Sequence, residues 1–395
     1  MAEIDGRPLT VVHVIANLAD RLGGPVQACL GMAQAVAARG HRVAIHTTGW
    51  DLDGARRTGT EQIGDVAVHR HPVLAGNRWP ISPALHRALD RALADADVAH
   101  VHSLYHFHDW SAARLCRRHG VPMIVRPHGT LDPYIRARGR AQKAVADFLF
   151  QRRALASAAA IHYTSAAEAQ LAADAVPDVP AAIVPLGIDA ARLRALPAAG
   201  GFRARHPEIG ARRIVLFLGR LAEKKGLDLL IPAFARSAEA HDLHLVLAGP
   251  DAGMGGAVAG WIADRAIRER VTLTGMVRGA DKDALLADAW CFVLPSYSEN
   301  FAVAAAEAMA AGLPVLLSDR VGIAEEAAIA GAALVGPPTV DAVTGQLACL
   351  AGDPARAGIM GAAGRALVAE RYDWPVVARA LETLYRRVAA TRTAR

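Results

Sequence analysis

Two glutamates, Glu299 and Glu307, stand with seven residues between them in the stretch that begins Leu294-Pro-Ser-Tyr-Ser-Glu-Asn-Phe-Ala. Ionised carboxylates only accept hydrogen bonds, so a spaced pair suits a hydroxyl-rich ligand such as a ribose or a sugar ring. Taken alone, they read equally well as a helix-start acid favoured by the macrodipole and a solvated side chain. Two cations, Arg220 and Lys225, lie on either side of the turn Leu-Ala-Glu-Lys. Guanidinium meets phosphate as a planar fork and ammonium meets it as a point charge. The plain alternative is a pair of exposed cations. A third candidate is His128 in Arg126-Pro-His-Gly-Thr-Leu-Asp-Pro-Tyr134, where Pro127, Gly129 and Pro133 stiffen the turn. A lone histidine is more often structural, but one in a rigid loop after a buried strand is a fair functional candidate.

Elements of one kind position all of these residues. The apolar run Leu9–Ala16 reads as a buried strand, followed by Gly23-Gly24-Pro25, a helix to Arg39, and a second strand at Arg42–Thr48. Further strands are expected at Val66–Pro72, Val98–His102, Met123–Arg126 and Ala158–Thr164. Helices are expected around Pro83–Ala94 and Ser111–His119. Another helix opens at Ser165, with Glu168 completing a capping box. Prolines near Gly187 mark a boundary, and then the pattern starts again. Arg213–Gly219, Leu243–Gly249, Val271–Gly275, Trp290–Leu294, Val315–Leu317 and Ala333–Val335 form a second strand series with helices between. A helix from near Phe301 to the C′ glycine Gly312 carries Glu307, and an amphipathic helix at Asp373–Val388 comes last. The expected fold is therefore α/β, with two doubly wound parallel-sheet, Rossmann-like domains. Gly219/Arg220, Gly249, Gly275 and Ser296/Glu299 all fall at strand ends, the edge where open sheets bind ligands.

The composition agrees. The chain has 395 residues, too many for one comfortable core, and is rich in alanine, glycine, valine and leucine. Cys29, Cys116, Cys291 and Cys349 form no C-x-x-C pair and read as small buried residues of a reducing compartment. Met1–Pro8 is polar and does not resemble a signal peptide, and no run reaches the ~18 apolar residues of a membrane-spanning helix. The formal charge of +6 suits a phosphorylated ligand or an anionic surface without requiring either. Dispersed basic residues with few aromatics argue against nucleic acid. Arg136, Arg138, Arg140 and Lys143 form a basic stretch, read as a solvated face ahead of an acceptor or lipid contact. His100, His102, His106 and His108 invite a metal, but no acid or cysteine matches their spacing, so strand-end histidines are the preferred reading.

The chain resembles the family 4 retaining glycosyltransferases of the GT-B fold over nearly its whole length. The residues that carry the resemblance are F-L-G-R-L-A-E-K-K-G at 217–226, V-T-L-T-G-M-V at 271–277, and P-S-Y-S-E-N-F-A…E-A-M-A-A-G-L-P-V at 295–315, with its E-x₇-E pattern. The resemblance implies two domains facing a central cleft. Residues 1–187 would be the acceptor side, 188–372 the nucleotide-sugar side, and 373–395 a helix crossing back to the first. It implies that Arg220 and Lys225 hold the donor diphosphate, that Glu307 binds the ribose, and that Glu299 binds the transferred sugar. Main-chain N–H groups around Asn300, Phe301 and Ala302 would cap a phosphate, and Val277 would meet the base through its backbone. Gly24 would approach the phosphate and His128 the reacting centre. The sequence departs from the family at Ala302, where glycine is usual, and Pro25 stiffens the turn after the glycine pair.

No metal or other cofactor is implied. The expected activity is hexose transfer from a UDP- or GDP-linked sugar to a hydroxyl, with retention, in exopolysaccharide or cell-surface glycan synthesis. The acceptor would be a saccharide or lipid-linked, the protein cytoplasmic, and any membrane contact peripheral. The rivals are a nucleotide-sugar sensor or scaffold, and an epimerase or phosphorylase on the same fold.

Overall fold

The computed structural model describes residues 6–19, 23–50, 57–74, 79–137, 139–176 and 178–393. The chain divides into two compact units. One comprises Met1–Gly187 with Trp374–Arg395, the other Ile188–Asp373.

The first unit is built on eight strands. They are β1 (Thr10–Ile15), β2 (Arg42–Thr48), β3 (Gly59–Ile63), β4 (Val66–His71), β5 (Val98–His102), β6 (Met123–Arg126), β7 (Ala160–Tyr163) and β8 (Ala181–Ile183), in the order β3-β4-β2-β1-β5-β6-β7-β8. Among the described residues only the β3/β4 pair is antiparallel. The sequence reading missed β3, a strand of mostly exposed residues, and β8, a three-residue strand with one buried position. Neither has the apolar run that marks a central strand. β1 and β5 are buried along nearly their whole length, as strands covered on both faces must be. The helix expected at Ser111 begins at Phe107, because Asp109 caps it by accepting the His106 N–H.

The terminal helix, Trp374–Thr393, packs on this unit and runs beyond the expected Val388. Its ring at Trp374 fits only because Gly31 and Gly187 lack side chains; a Cβ on either would lie 2.1 Å from the indole. Glu382 ties the helix to Arg39 and also pairs with Arg386 along it. Tyr385 is fully buried.

The second unit holds six parallel strands: β9 (Arg213–Leu218), β10 (Leu243–Ala248), β11 (Val271–Gly275), β12 (Ala289–Leu294), β13 (Val315–Ser318) and β14 (Ala333–Gly336). Their order is β11-β10-β9-β12-β13-β14. The chain reverses direction across the sheet between β9 and β12, which makes that edge the switch point of the fold. Cys29, Cys116 and Cys291 are buried thiols, but Cys349 is exposed beside Arg356, contrary to the sequence reading.

Candidate active site

Arg220, Lys225 and Glu299 sit just past the carboxyl ends of the central, adjacent strands β9 and β12. Two features lock their loops together. Gly226 is left-handed (φ 69°), and a Cβ there would lie 2.1 Å from the Pro295 carbonyl oxygen, so only glycine permits this approach. The Tyr297 N–H then donates to the Lys224 carbonyl at 2.8 Å. As a result Lys225 Nζ lies 2.5 Å from Glu299 Oε2, and Lys224 Nζ lies 3.5 Å from the same oxygen. Burial pushes the Glu299 carboxyl up, but the two ammoniums outweigh it and hold the group below the usual carboxylate range. The Glu299 backbone is held as well, by its N–H to the Arg320 carbonyl and by the Gly322 N–H to its own carbonyl. Arg220 is exposed, and among the described residues its guanidinium makes no ion pair.

The helix behind this turn runs Val303–Ala311 and is closed by left-handed Gly312. It starts two residues after Phe301, where the sequence placed it, because Phe301 turns into the core and packs edge-on against Tyr372, 5.2 Å between centroids. The Phe301 side chain is thereby committed, and only its backbone can serve a ligand. Ala302 is the N-cap and takes φ 64°, a left-handed conformation costly for any residue with a Cβ. Among the described residues no side chain caps this end and no acid lies in its first turn, so its dipole is not offset there by a carboxylate. Glu307, half-buried on the same helix, accepts from Lys282 Nζ at 2.7 Å. Lys282 comes from the helix Gly279–Asp288, just after the half-buried Val277.

The glycine-rich loop after β10 behaves differently. Its N–H groups at Gly253, Met254 and Gly255 all donate to Asp251 Oδ1 at 2.8–2.9 Å. This concave row of amides is filled by the chain's own carboxylate.

In the first unit, Gly24 is exposed at the start of the helix Gly24–Ala37, with open space where a Cβ would stand. Left-handed Gly23 precedes it, and among the described residues no side chain caps the helix. His128 is half-buried in a left-handed turn (φ 52°) after β6. Glu168 pins that turn by accepting the Gly129 N–H at 3.1 Å. Its other oxygen takes the Thr164 N–H and hydroxyl, both at 2.7 Å. The predicted capping box is thus half present. Ser165 Oγ accepts the Glu168 N–H, but no bond returns from Glu168 to Ser165; the carboxylate reaches instead to Thr164 and the His128 loop.

Behind His128 stand His102, His100, His13 and His162, all fully buried. Ligand atoms of His13, His100 and His102 lie within 4.8 Å of one another, a grouping the sequence reading missed because His13 is on a distant strand. His106 and His108 instead sit on the helix side, where the His108 Nε2 meets the His102 carbonyl at 2.7 Å. In the basic stretch, Arg136 pairs with Asp147 at 3.1 Å and Lys143 donates to the Ile135 carbonyl, so neither is a free cation. Arg140 is exposed, and Arg138 lies outside the described residues.

In the second unit Arg220, Lys225 and Glu299 thus follow the carboxyl ends of adjacent strands, with Lys224 also on the Glu299 carboxylate, while Glu307, on the helix after β12, pairs with Lys282. In the first unit Gly24 and His128 follow β1 and β6. Two doubly wound parallel-sheet units, one with cations and acids at the carboxyl ends of its central strands, define a glycosyltransferase of the GT-B class.

Comparison with known proteins agrees. Residues 202–366 match the model for glycosyl transferases group 1, and residues 23–187 match the glycosyl transferase 4-like domain. The GDP-mannose:cellobiosyl-diphosphopolyprenol alpha-mannosyltransferase of Xanthomonas campestris is 30% identical over 323 residues, 79% of each chain. Sucrose-phosphate synthase from Thermosynechococcus elongatus superposes with a TM-score of 0.76 at 21% identity, covering 98% of this chain and 100% of that one. Anabaena HepE, solved with UDP and glucose, gives 0.73 at 17% identity, covering 95% and 99%. The chain belongs to the group 1 glycosyl transferases, a family 4-type glycosyltransferase. Among the described residues, no helix is long and apolar enough to cross a membrane.

Proposed function

We propose that this glycosyltransferase moves a hexose from a UDP- or GDP-linked sugar to a hydroxyl acceptor with retention at the anomeric carbon. The observation that carries the reading is the arrangement at the ends of β9 and β12. There Arg220 follows β9, exposed and without an ion pair among the described residues, and Lys225 five residues on pairs with Glu299, which precedes a helix whose N-terminus has no side-chain cap. Arg220 and Lys225 would hold the diphosphate and stabilise the charge that grows as it leaves. Glu299 would orient the transferred sugar, Glu307 the ribose, and Val277 the base through its backbone. The N–H groups around Asn300, Phe301 and Ala302 would meet a phosphate. In the first unit, Gly24 is assigned to phosphate and His128 to the transferred sugar. The reaction is read as metal-independent, because these cations can supply the charge.

We prefer a same-face route in which the leaving phosphate helps to deprotonate the acceptor hydroxyl. A thermal-shift screen of UDP, GDP and their sugars identifies the donor, and proton NMR of the product reads the anomer. An inverted product would sink the retaining assignment. Donor binding with neither transfer nor slow donor hydrolysis would favour a sensor.

The Xanthomonas relative's name describes a lipid-linked saccharide acceptor, and we extend that acceptor class to this chain, within surface-polysaccharide synthesis. A surface of the first unit supports it. The helical run from Arg140 to Ala156 exposes Val145, Phe148 and Leu149, at spacings that share one helix face, with Phe148 84% exposed. Arg140, Arg152 and Arg153, also exposed, flank the stripe. Apolar side chains flanked along the chain by arginines fit the interface of an anionic bilayer. The protein should sediment with phosphatidylglycerol vesicles and not with phosphatidylcholine ones, and Phe148→Asp should abolish this. Binding unchanged by that substitution would refute the surface.

A further inference from the structure

A row of imidazoles runs inward from His128. Its Nε2 lies 3.0 Å from His102 Nδ1, and His102 Nε2 lies 2.9 Å from His13 Nδ1. His13 Nε2 ends the row, buried and without a partner among the described residues. At the other end, His128 Nδ1 makes no hydrogen bond among the described residues, and its ring is half-buried rather than sealed in. The row therefore has one dry end and one open end.

Burial drives all three rings far below the ordinary histidine value, and the buried guanidinium of Arg126 adds to this for His102 and His128. All three are neutral at pH 7. A neutral imidazole carries one N–H and one lone pair, so in an unbroken row the three N–H groups must all point the same way. If they point inward, His13 Nε2 carries a hydrogen with no acceptor in a dry core. If they point outward, His13 Nε2 is a bare acceptor, and His128 carries its hydrogen on Nδ1. Among main-chain groups a buried N–H without a partner is rarer than an under-satisfied acceptor, and the same preference applied to the rings selects the outward direction, which puts the unshared N–H at the open end of the row.

A bound cation is the competing account of the cluster, and the surroundings oppose it. His100 is already engaged through both nitrogens, by Tyr385 at 2.8 Å and His162 at 3.2 Å. His102 is engaged through both of its own. Among the described residues no carboxylate joins the trio, and the Arg126 guanidinium is buried beside it, with its Nη1 2.9 Å from His162 Nε2. A dication there would be buried beside a guanidinium with no carboxylate among its described ligands.

We infer that His102 and His13 are positioning residues that hold His128 as the Nδ1–H tautomer, so that its loop offers a hydrogen-bond donor to an oxygen of the substrate. That the oxygen belongs to the sugar rests on the proposed transfer reaction; the tautomer does not. Through His102, residues with no access to substrate determine what His128 can do.

Two-bond 1H–15N spectra of the full-length protein with 15N-labelled histidine test this at pH 7. His13, His102 and His128 are expected as neutral Nδ1–H rings, unmoved by added Zn2+ alone. In His102→Phe the His128 signal should shift towards a mixture of tautomers, and kcat should fall about tenfold with little change in the KM for donor. An Nε2–H or charged His128 in the native protein overturns the inference, as does a row whose signals move with Zn2+. The native spectrum decides even if His102→Phe does not fold. If the tautomer is found and no transfer activity exists, the reaction assignment fails while the row stands.

Discussion

Lys225 Nζ and Glu299 Oε2 lie 2.5 Å apart, although 73 residues separate the two in sequence, because β9 and β12 are adjacent. A phosphate oxygen approaching Lys225 must share its ammonium with Glu299, and three N–H donors allow that. The pair fixes the ammonium's position, and the carboxylate keeps a second oxygen for a sugar hydroxyl. Lys225→Ala and Arg220→Ala should each lower kcat by about 10²–10³, the range for losing a transition-state charge partner. Glu299→Gln separates the two roles. It should bind bare nucleoside diphosphate at least as tightly as the native protein, since the competing carboxylate charge is gone, while turnover falls steeply. Initial rates with calorimetric titration of the diphosphate measure both, and near-normal turnover in either cation variant would argue against a diphosphate site.

Glu307 presents a different balance. Its Oε1 is held by Lys282, so the carboxylate is oriented before it meets a ribose. Because ribose contacts are the same in the ground and transition states, Glu307→Ala should raise the dissociation constant for donor more than it lowers kcat. Lys282→Ala should produce a weaker version of the same change. Unchanged donor affinity in calorimetry would show that Glu307 does not touch the ribose.

Much of this site is legible in the sequence because each residue follows a strand that announces itself by an apolar run. Arg220, Glu299 and His128 all do. Lys282 was invisible because its partner lies 25 residues away on another helix, and no spacing rule links the two. His13 was missed for the same reason: its role depends on β1 pairing with β5, a tertiary fact. Glu168 was read locally as a capping residue, but tertiary packing turned it towards the His128 loop. The weak strands β3 and β8 escaped because exposed or very short edge strands lack the burial that writes a pattern into the sequence.

Ala302 stands where the family usually has glycine. Its conformation has a cost. At φ 64° the methyl is strained, and the residue is 5% exposed, so the chain cannot relax freely. Ala302→Gly should therefore stabilise the second unit by about 1 kcal/mol, since the relief of left-handed strain exceeds the added unfolded-state entropy. The expected rise in melting temperature is about 2–4 °C. Gly226→Ala, which would drive a methyl into the Pro295 carbonyl, should do the reverse and also lower activity by displacing Lys225. A melting temperature unchanged by Ala302→Gly would show that the left-handed turn carries no cost.

The buried histidines make stability depend on pH in one direction. Burial lowers His13, His46 and His108 to about 3, from an ordinary value near 6.5. Below pH 6.5 the unfolded chain binds protons that the folded chain refuses, so the unfolded state gains and stability falls with falling pH. The contribution is fully present above 6.5 and is lost progressively as pH drops towards 3. Thermal melts should therefore show a falling melting temperature from pH 7 to pH 4. Calorimetric unfolding of the native protein near pH 5, in buffers of different ionisation enthalpy, should show net proton uptake. His46→Phe tests one contributor, since His46 packs against His69 and His71 in a cluster apart from the His128 row. That variant should take up fewer protons on unfolding and show a shallower pH slope. A slope as steep as that of the native protein would mean that His46 is charged in the fold.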